Sequence, residues 1–529
     1  MMRAGDAAVE VLARVGVKRF YAVPGESFLE IMDAVEARPD LSLVSTRHES
    51  GASFMAEADG KLTGVPAVAM ATRGVGASNL AIGVHTARQD STPMVVLLGQ
   101  VETGFLGREA FQEVDLPDFY REVTKYSATV HRAERLPEFV EKAVRIATSG
   151  RPGPVMLALP ADILGEEIEA PDGAVILSRS RTMPSPEEIQ EIKRRILEAR
   201  RPVAIAGEGA KWARNELVSF AEKYGVGIYT AFRRQDRFPN GHPNYLGHLA
   251  LGTPPEILKS LEGADLIFSI GSRLDEVTTQ SYRFPKKGQK VIRIGADGFA
   301  ADVRQTLSAL VEAAPKKAPE RNWSAAHYSY LEFSEIPESR SEGGIDPAEV
   351  ISAMRRTIPE DAIVTNDAGN FSIFLHRYWK YDHPDTQLAP ANGAMGYGVP
   401  AAVGVKMAAP KRTVVAVCGD GGFLMTGQEI ETAVRYGLSL TVVVMRNGMH
   451  GTIAMHQARG MGRLAGTEIG NVDLASFARS LGAEGFSVEN SDELIPALEA
   501  AVSSEGVSLV DIVTDPDLIT PTARLSEMS

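Results

Sequence analysis

An apolar run at residues 413–417 ends in Cys418-Gly419-Asp420-Gly421-Gly422, and a second apolar run at 440–445 leads to Asn447, 27 residues after Asp420 (447 − 420). With one helical segment over residues 428–436 between them, these runs predict two buried, parallel, neighbouring strands joined by a right-handed crossover. Asp420 and Asn447 then reach the same carboxyl edge of one sheet. Glycines on both sides of Asp420 allow backbone amides to approach a phosphate closely. One carboxylate, one amide oxygen, a loop carbonyl and two phosphate oxygens form an oxygen shell suited to Mg²⁺. Gly-Asp-Gly alone marks ordinary turns. The spacing, the two apolar runs and the terminal Asn together point to a metal-diphosphate site.

The same strand-helix rhythm recurs along the chain. Residues 20–23, 41–45, 65–72 and 94–99 read as strands, and 27–36, 49–63 and 76–90 as helices, giving a first α/β domain at 1–165. A polar stretch at 166–186 reads as a linker. Strands at 202–207, 226–230, 266–271 and 290–294 define a central domain at 187–312, followed by a second linker at 313–344 rich in Pro, Lys, Glu and Ser. Strands at 363–365, 413–418, 440–445 and 509–513 fall in a third domain at 345–529. The fold class is therefore α/β, with three consecutive doubly wound parallel-sheet domains.

A net charge of −13 argues against nucleic acid as the principal partner. The single cysteine, Cys418, excludes an intrachain disulfide and is consistent with a cytoplasmic setting. No uninterrupted apolar run approaches the roughly 20 residues of a membrane span.

The stretch GDGGFLMTGQEIETAVRYGLSLTVVVMRN, ending at Asn447, resembles the signature of thiamine-diphosphate enzymes, with Arg446 where that family usually has a first Asn. The resemblance extends along nearly the whole chain and makes the three domains aminopyrimidine-binding, central and diphosphate-binding. It implies thiamine diphosphate and Mg²⁺ as cofactors, with Asp420, Asn447 and the Met449 carbonyl on the metal. Gly419, Gly421, Gly422, Asn370, Ser372, His450, Gly451 and Thr452 would line the diphosphate. Met395 would wedge the cofactor into a bent shape, and the Gly393 carbonyl would receive its amino group. Within Arg47-His48-Glu49-Ser50-Gly51, Glu49 would protonate the aminopyrimidine ring, with Thr72 and Asn79 nearby.

Within that family the chain is most similar to acetolactate (acetohydroxyacid) synthases, through RHESGASFMAE, the loop from Thr72 to Asn79, and the pieces around Phe111-Gln112, Lys125 and Ser149 to Pro154. Phe111, Gln112 and Lys125 would then face a pocket for a 2-oxo acid and a carbonyl acceptor. The similarity implies a homodimer or homotetramer with active sites at subunit interfaces. Three departures mark the pocket. The synthases' Arg-Phe-Asp-Asp-Arg reads Arg273-Leu274-Asp275-Glu276-Val277, which also makes FAD in the central domain doubtful. Their specificity Trp is His456, and Glu26, Ser27 and Arg73 replace smaller residues. Ser27 and His456 resemble benzoylformate-type decarboxylases, the alternative reading; a 2-hydroxyacyl-CoA lyase and a non-catalytic cofactor-binding protein complete the set.

Overall fold

The computed structural model describes residues 1–170, 182–296 and 302–528, and builds three parallel sheets. In the first sheet the strand order is Ser42–Ser45, Arg19–Ala22, Ala67–Thr72, Met94–Gln100, Pro154–Pro160, Tyr126–Thr129. In the third it is Gln387–Leu388, Ile363–Asn366, Val414–Gly419, Leu440–Arg446, Val507–Val513, Glu484–Val488. Numbered along each domain, both orders read 2-1-3-4-6-5, so the first and third domains share one topology. The central sheet runs Tyr245–His248, Gly227–Thr230, Pro202–Ala206, Leu266–Ile270, Lys290–Ile294, or 3-2-1-4-5, the order of the first five strands of a dinucleotide-type fold.

The inner strands of each sheet are buried on both faces, so they read as continuous apolar runs. Along Val414–Gly419 the side chains alternate: Val414, Ala416 and Cys418 enter one core, Val415 and Val417 the other. The core containing Cys418 also takes in the first domain's Phe54 and Leu80, making one apolar interior for the two domains. Its centre is the packing of the helix Glu49–Thr63 against the helix Gly398–Ala408. The backbones approach so closely that a Cβ on Gly404 would lie 2.4 Å from the Met55 carbonyl oxygen, and Phe54 meets Tyr397 edge-on at 5.4 Å.

Buried charges join all three domains. Lys61 donates to Asp90 at 2.6 Å and to the Ala389 carbonyl at 2.9 Å. Asp90 also accepts from Arg234 of the central domain at 3.0 Å and from the Ala391 amide at 2.9 Å. Arg233 donates to the Pro390 carbonyl. Residues 389–391 lead into the segment that carries Gly393 and Met395, so this network fixes where that segment starts.

The structure departs from expectation in several places. The stretch 313–344 is not a bare linker: it contains the helix Ser324–Phe333, preceded by Trp323, whose indole donates to the Gly225 carbonyl at 3.0 Å. Trp323 and Tyr330 are buried in the central core, which supplies the apolar contact that its charged composition conceals. Of the stretch 166–186, residues 171–181 lie outside the described residues, while Glu167–Ile168 pairs antiparallel with Met2–Arg3. The expected helix over 428–436 is Glu429–Arg435, and a separate helix, Asp420–Thr426, begins at the motif itself. Among the described residues no helix is long and apolar enough to cross a membrane.

Candidate active site

Ligands in open α/β sheets bind beyond the carboxyl ends of the strands where the strand order reverses. In the third sheet that point lies between Ile363–Asn366 and Val414–Gly419, and the segments 367–372 and 419–422 meet there. Asp420 opens a helix, with Oδ1 accepting from its neighbour Gly421 N–H at 2.9 Å and Oδ2 from Gly448 N–H at 2.7 Å. Burial pushes its carboxyl above the usual carboxylate range, opposed by those two amides and the Arg446 charge. Asn447 Oδ1 accepts from Met449 N–H at 3.2 Å, and the Met449 carbonyl accepts from Gly451 N–H at 3.0 Å, which leaves it a second lone pair. Arg446 is turned away, its Nε donating to Asp511 at 2.8 Å.

These groups line a cavity of about 1110 Å³ between the third and central domains. Asn370, Ser372, Gly393, Met395, Gly419, Asp420, Gly421, Gly422, Asn447, Met449, His450, Gly451, Thr452 and His456 all face it, as does Val277. Asn370 Oδ1 accepts from Thr452 at 2.8 Å, and Ser372 Oγ donates to the Gly369 carbonyl at 2.7 Å. The glycines are required by space: a Cβ on Gly421 would lie 2.8 Å from the His450 ring, and one on Gly422 2.3 Å from Asp367 Oδ2. That Asp367 oxygen is buried without a hydrogen-bond partner, and burial raises the carboxyl to about 6 although the backbone amides of Gly398 and Tyr397 oppose it. Among the described residues no cluster of three or more His, Cys, Asp and Glu is placed to hold a metal. The donors present at Asp420, Asn447 and Met449 are oxygens, and they fit a hard cation completed by phosphate.

Glu49 is the first residue of the helix Glu49–Thr63, and its Oε2 accepts from Asn79 at 2.9 Å. Ser27 is fully buried with its hydroxyl 2.7 Å from that of Thr72. Phe111 is 75% exposed. Gln112 has φ 65° and a buried Oε1 without a partner. Lys125 donates to the carbonyls of Ile146 and Ser149, at the end of the helix Leu136–Thr148, and burial lowers its ammonium to about 8, with Arg88 and Arg151 adding to the shift. None of these first-domain residues lines the 1110 Å³ cavity within the same chain.

The sequence marks Arg73 as a departure at the pocket without giving it a role. It adopts φ 38°, its buried Nε has no partner, and its Nη1 lies 3.4 Å from the exposed Glu26. Gln112 adjoins it, because the Gly74 amide donates to the Gln112 carbonyl at 3.0 Å. Strained conformations and orphaned polar atoms of this kind concentrate at functional sites. The broken Arg273 to Val277 stretch divides between two cavities: Val277 faces the large one, while Arg273 and Asp275 face a second of about 740 Å³ between the first and central domains.

Comparison with known proteins gives this geometry its family. Residues 2–119, 189–316 and 367–512 match, in order, the N-terminal TPP binding, central and C-terminal TPP binding domains of thiamine pyrophosphate enzymes. The putative thiamine pyrophosphate-containing protein YdaP of Bacillus subtilis (strain 168) is 32% identical, over 96% of this chain and 91% of its own. The chain belongs to the thiamine pyrophosphate enzymes. The acetolactate synthase isozyme 3 large subunit of Escherichia coli (strain K12) is 31% identical over 97% of this chain and 95% of its own. The thiamine diphosphate-dependent 4-hydroxybenzoylformate decarboxylase of Rhodococcus jostii RHA1 shares the fold, with a TM-score of 0.86 at 23% identity, over 97% of this chain and 99% of that one. Its thiamine pyrophosphate domains at both ends make this protein a thiamine diphosphate-dependent enzyme with acetolactate synthase relatives.

Proposed function

We propose that this thiamine pyrophosphate enzyme decarboxylates a 2-oxo acid such as pyruvate and ligates the resulting fragment to a second carbonyl compound, as an acetolactate synthase does. The observation that carries the reading is the convergence of Asp420, Asn447, Met449, Gly393, Met395 and His456 on one cavity. Thiamine diphosphate, when bound, supplies a nucleophilic carbon and an electron sink for decarboxylation. Asp420, Asn447 and the Met449 carbonyl would hold Mg²⁺, and Gly419, Gly421, Gly422, Asn370 and Thr452 the diphosphate. Met395 would press beneath the bend, with the Gly393 carbonyl receiving the amino group. Glu49, held by Asn79, would carry and return the proton at the aminopyrimidine nitrogen.

Glu49 does not face the cavity of its own chain, so on this reading a second copy brings its first domain to complete the site, in a homodimer or homotetramer. Arg73 and Gln112 would arrive with it and meet the substrate's carboxylate and carbonyl. Val277 removes a cation from the acceptor side, which favours a second reading, a decarboxylase that releases its aldehyde without ligation. Product analysis by NMR with a panel of 2-oxo acids and aldehydes separates the two. Ligated hydroxyketone products are expected, and aldehyde as the sole product throughout the panel replaces the first reading with the second.

A further inference from the structure

We infer that Glu429, a carboxylate of the third domain, is a positioning residue for Glu49, because it grips the backbone at the start of the helix that Glu49 opens. This deepens the reading of Glu49 as the proton carrier and rests on it. Glu429 Oε1 accepts from the Arg47 amide at 3.0 Å and the His48 amide at 3.1 Å, the two residues immediately before Glu49. Oε2 takes a further contact from Arg47 N–H at 3.3 Å and the Thr432 hydroxyl at 2.6 Å. The glutamate is completely buried. Gly51, one turn into the helix, makes the contact possible: a Cβ there would lie 2.3 Å from Glu429 Oε1.

First-turn amides of a helix need acceptors, and a local Ser, Thr or Asp ordinarily supplies one. Here the cap His48 satisfies only Ser50 N–H, at 3.1 Å, and the preceding amides depend on a side chain more than 380 residues away. The position of Glu49 is therefore set by the same domain that carries Asp420, through the helix that comes after the motif.

The charged and titratable groups around the carboxylate are otherwise engaged. The Arg47 guanidinium is 3.2 Å from Glu431, Arg435 also pairs with Glu431 at 3.1 Å, and Tyr436 accepts from the Ser45 amide at 2.9 Å. His48 Nδ1 sits 2.7 Å from the Ser50 hydroxyl. Burial raises Glu429 to about 7, with Thr432 and the Arg47 and His48 amides opposing it. Ionisation of this group therefore costs the fold stability as pH rises through about 7, yet it is the ionised form that accepts every donor facing it.

The test is hydrogen-deuterium exchange at the reactive carbon of added thiamine diphosphate, bound with Mg²⁺ to the full-length protein and monitored by quenched NMR across neutral pH. The wild type is expected to show a limb centred near pH 7. Glu429→Gln is expected to lose that limb and to exchange between about 10 and 100 times more slowly, the scale set by displacing a catalytic group by about 1 Å. Its melting temperature above neutral pH should equal or exceed that of the wild type. Gly51→Ala should slow exchange in the same way, and Thr432→Val, which keeps the carboxylate, should move the limb to higher pH. If Glu49→Gln abolishes exchange while Glu429→Gln retains both rate and limb, the inference is overturned and the role of Glu49 stands. If Glu49→Gln leaves exchange unchanged, the underlying reading fails instead. Should Glu429→Gln not fold, Thr432→Val decides: a displaced limb supports the inference, and an unmoved one overturns it.

Discussion

Replacing Lys61 by Met removes a buried charge while keeping most of its volume, and the groups around the ammonium determine the loss. The ammonium donates to Asp90 at 2.6 Å and to the Ala389 carbonyl at 2.9 Å, and lies 3.8 Å from Glu57. Asp90 keeps Arg234 at 3.0 Å, whereas Glu57 is left with the hydroxyls of Tyr397 at 2.6 Å and Thr92 at 2.7 Å, and the Ala389 carbonyl loses the Lys61 donor. Removing one partner of a buried pair costs about 3–5 kcal/mol, and the retained Arg234 places this case near 3 kcal/mol. For a domain of this size that is a fall of roughly 6–12 °C in melting temperature. The pH response adds a second readout. Burial alone would raise Asp90, but Lys61 and Arg234 outweigh it and bring the carboxyl down to about 2. A depressed carboxyl pKa stabilises the fold above its unfolded value of 3.8 and loses that contribution as pH falls toward about 2. Lys61→Met should therefore lose less of its remaining stability on acidification over that window. Calorimetry against pH measures both effects. A variant within about 0.5 kcal/mol of the wild type, the ordinary range for surface changes, would refute the assignment of stability to this network.

Asp420→Ala should abolish Mg²⁺-dependent uptake of thiamine diphosphate in isothermal titration, and a chelator should do the same to the wild type; undiminished affinity in either case removes the metal assignment. Gly404→Ala should destabilise the protein by about 1–2 kcal/mol, as overpacking of about 1–3 kcal/mol is partly offset by about 1 kcal/mol of helix propensity. Its Cβ would meet the Met55 backbone at 2.4 Å, where no rotamer change relieves it, and denaturant unfolding gives the value. Arg73→Met should raise KM for 2-oxo acids by roughly 10- to 100-fold, the worth of a charge-assisted hydrogen bond, with cofactor affinity unchanged. An unaltered KM excludes Arg73 from the substrate.

The third-domain site is legible in the sequence because its parts are local: two apolar runs, a glycine-flanked Asp420, and a fixed interval to Asn447. The helix Glu49–Thr63 is placed to the residue by its apolar spacing and the Gly64 that ends it in a left-handed turn. Tyr126–Thr129 and Tyr245–His248 are edge strands of four residues each, too short for a periodic signal, and their existence depends on the neighbours they pair with. The helix Ser324–Phe333 is hidden by a polar setting and is held by Trp323 and Tyr330 reaching into the central core. Side-chain destinations are least visible. Lys125 caps a helix that ends more than twenty residues later, Ser27 is closed in by Gly99, and Glu429 serves an amide 382 positions away. Gly51 is the available trace of that last contact, and it looks like any small residue on a buried helix.

If Glu49 of one copy and Asp420 of another build a single site, complementation tests the arrangement most directly. Glu49→Gln and Asp420→Ala, each inactive alone, are mixed, reassociated with thiamine diphosphate and Mg²⁺, and assayed for 2-oxo acid decarboxylation. A mixed dimer has one site in which both residues are intact, so activity should return in proportion to the share of mixed dimers. Mixed dimers that form and remain inactive would place both residues in a site within one chain and contradict the shared-site assignment.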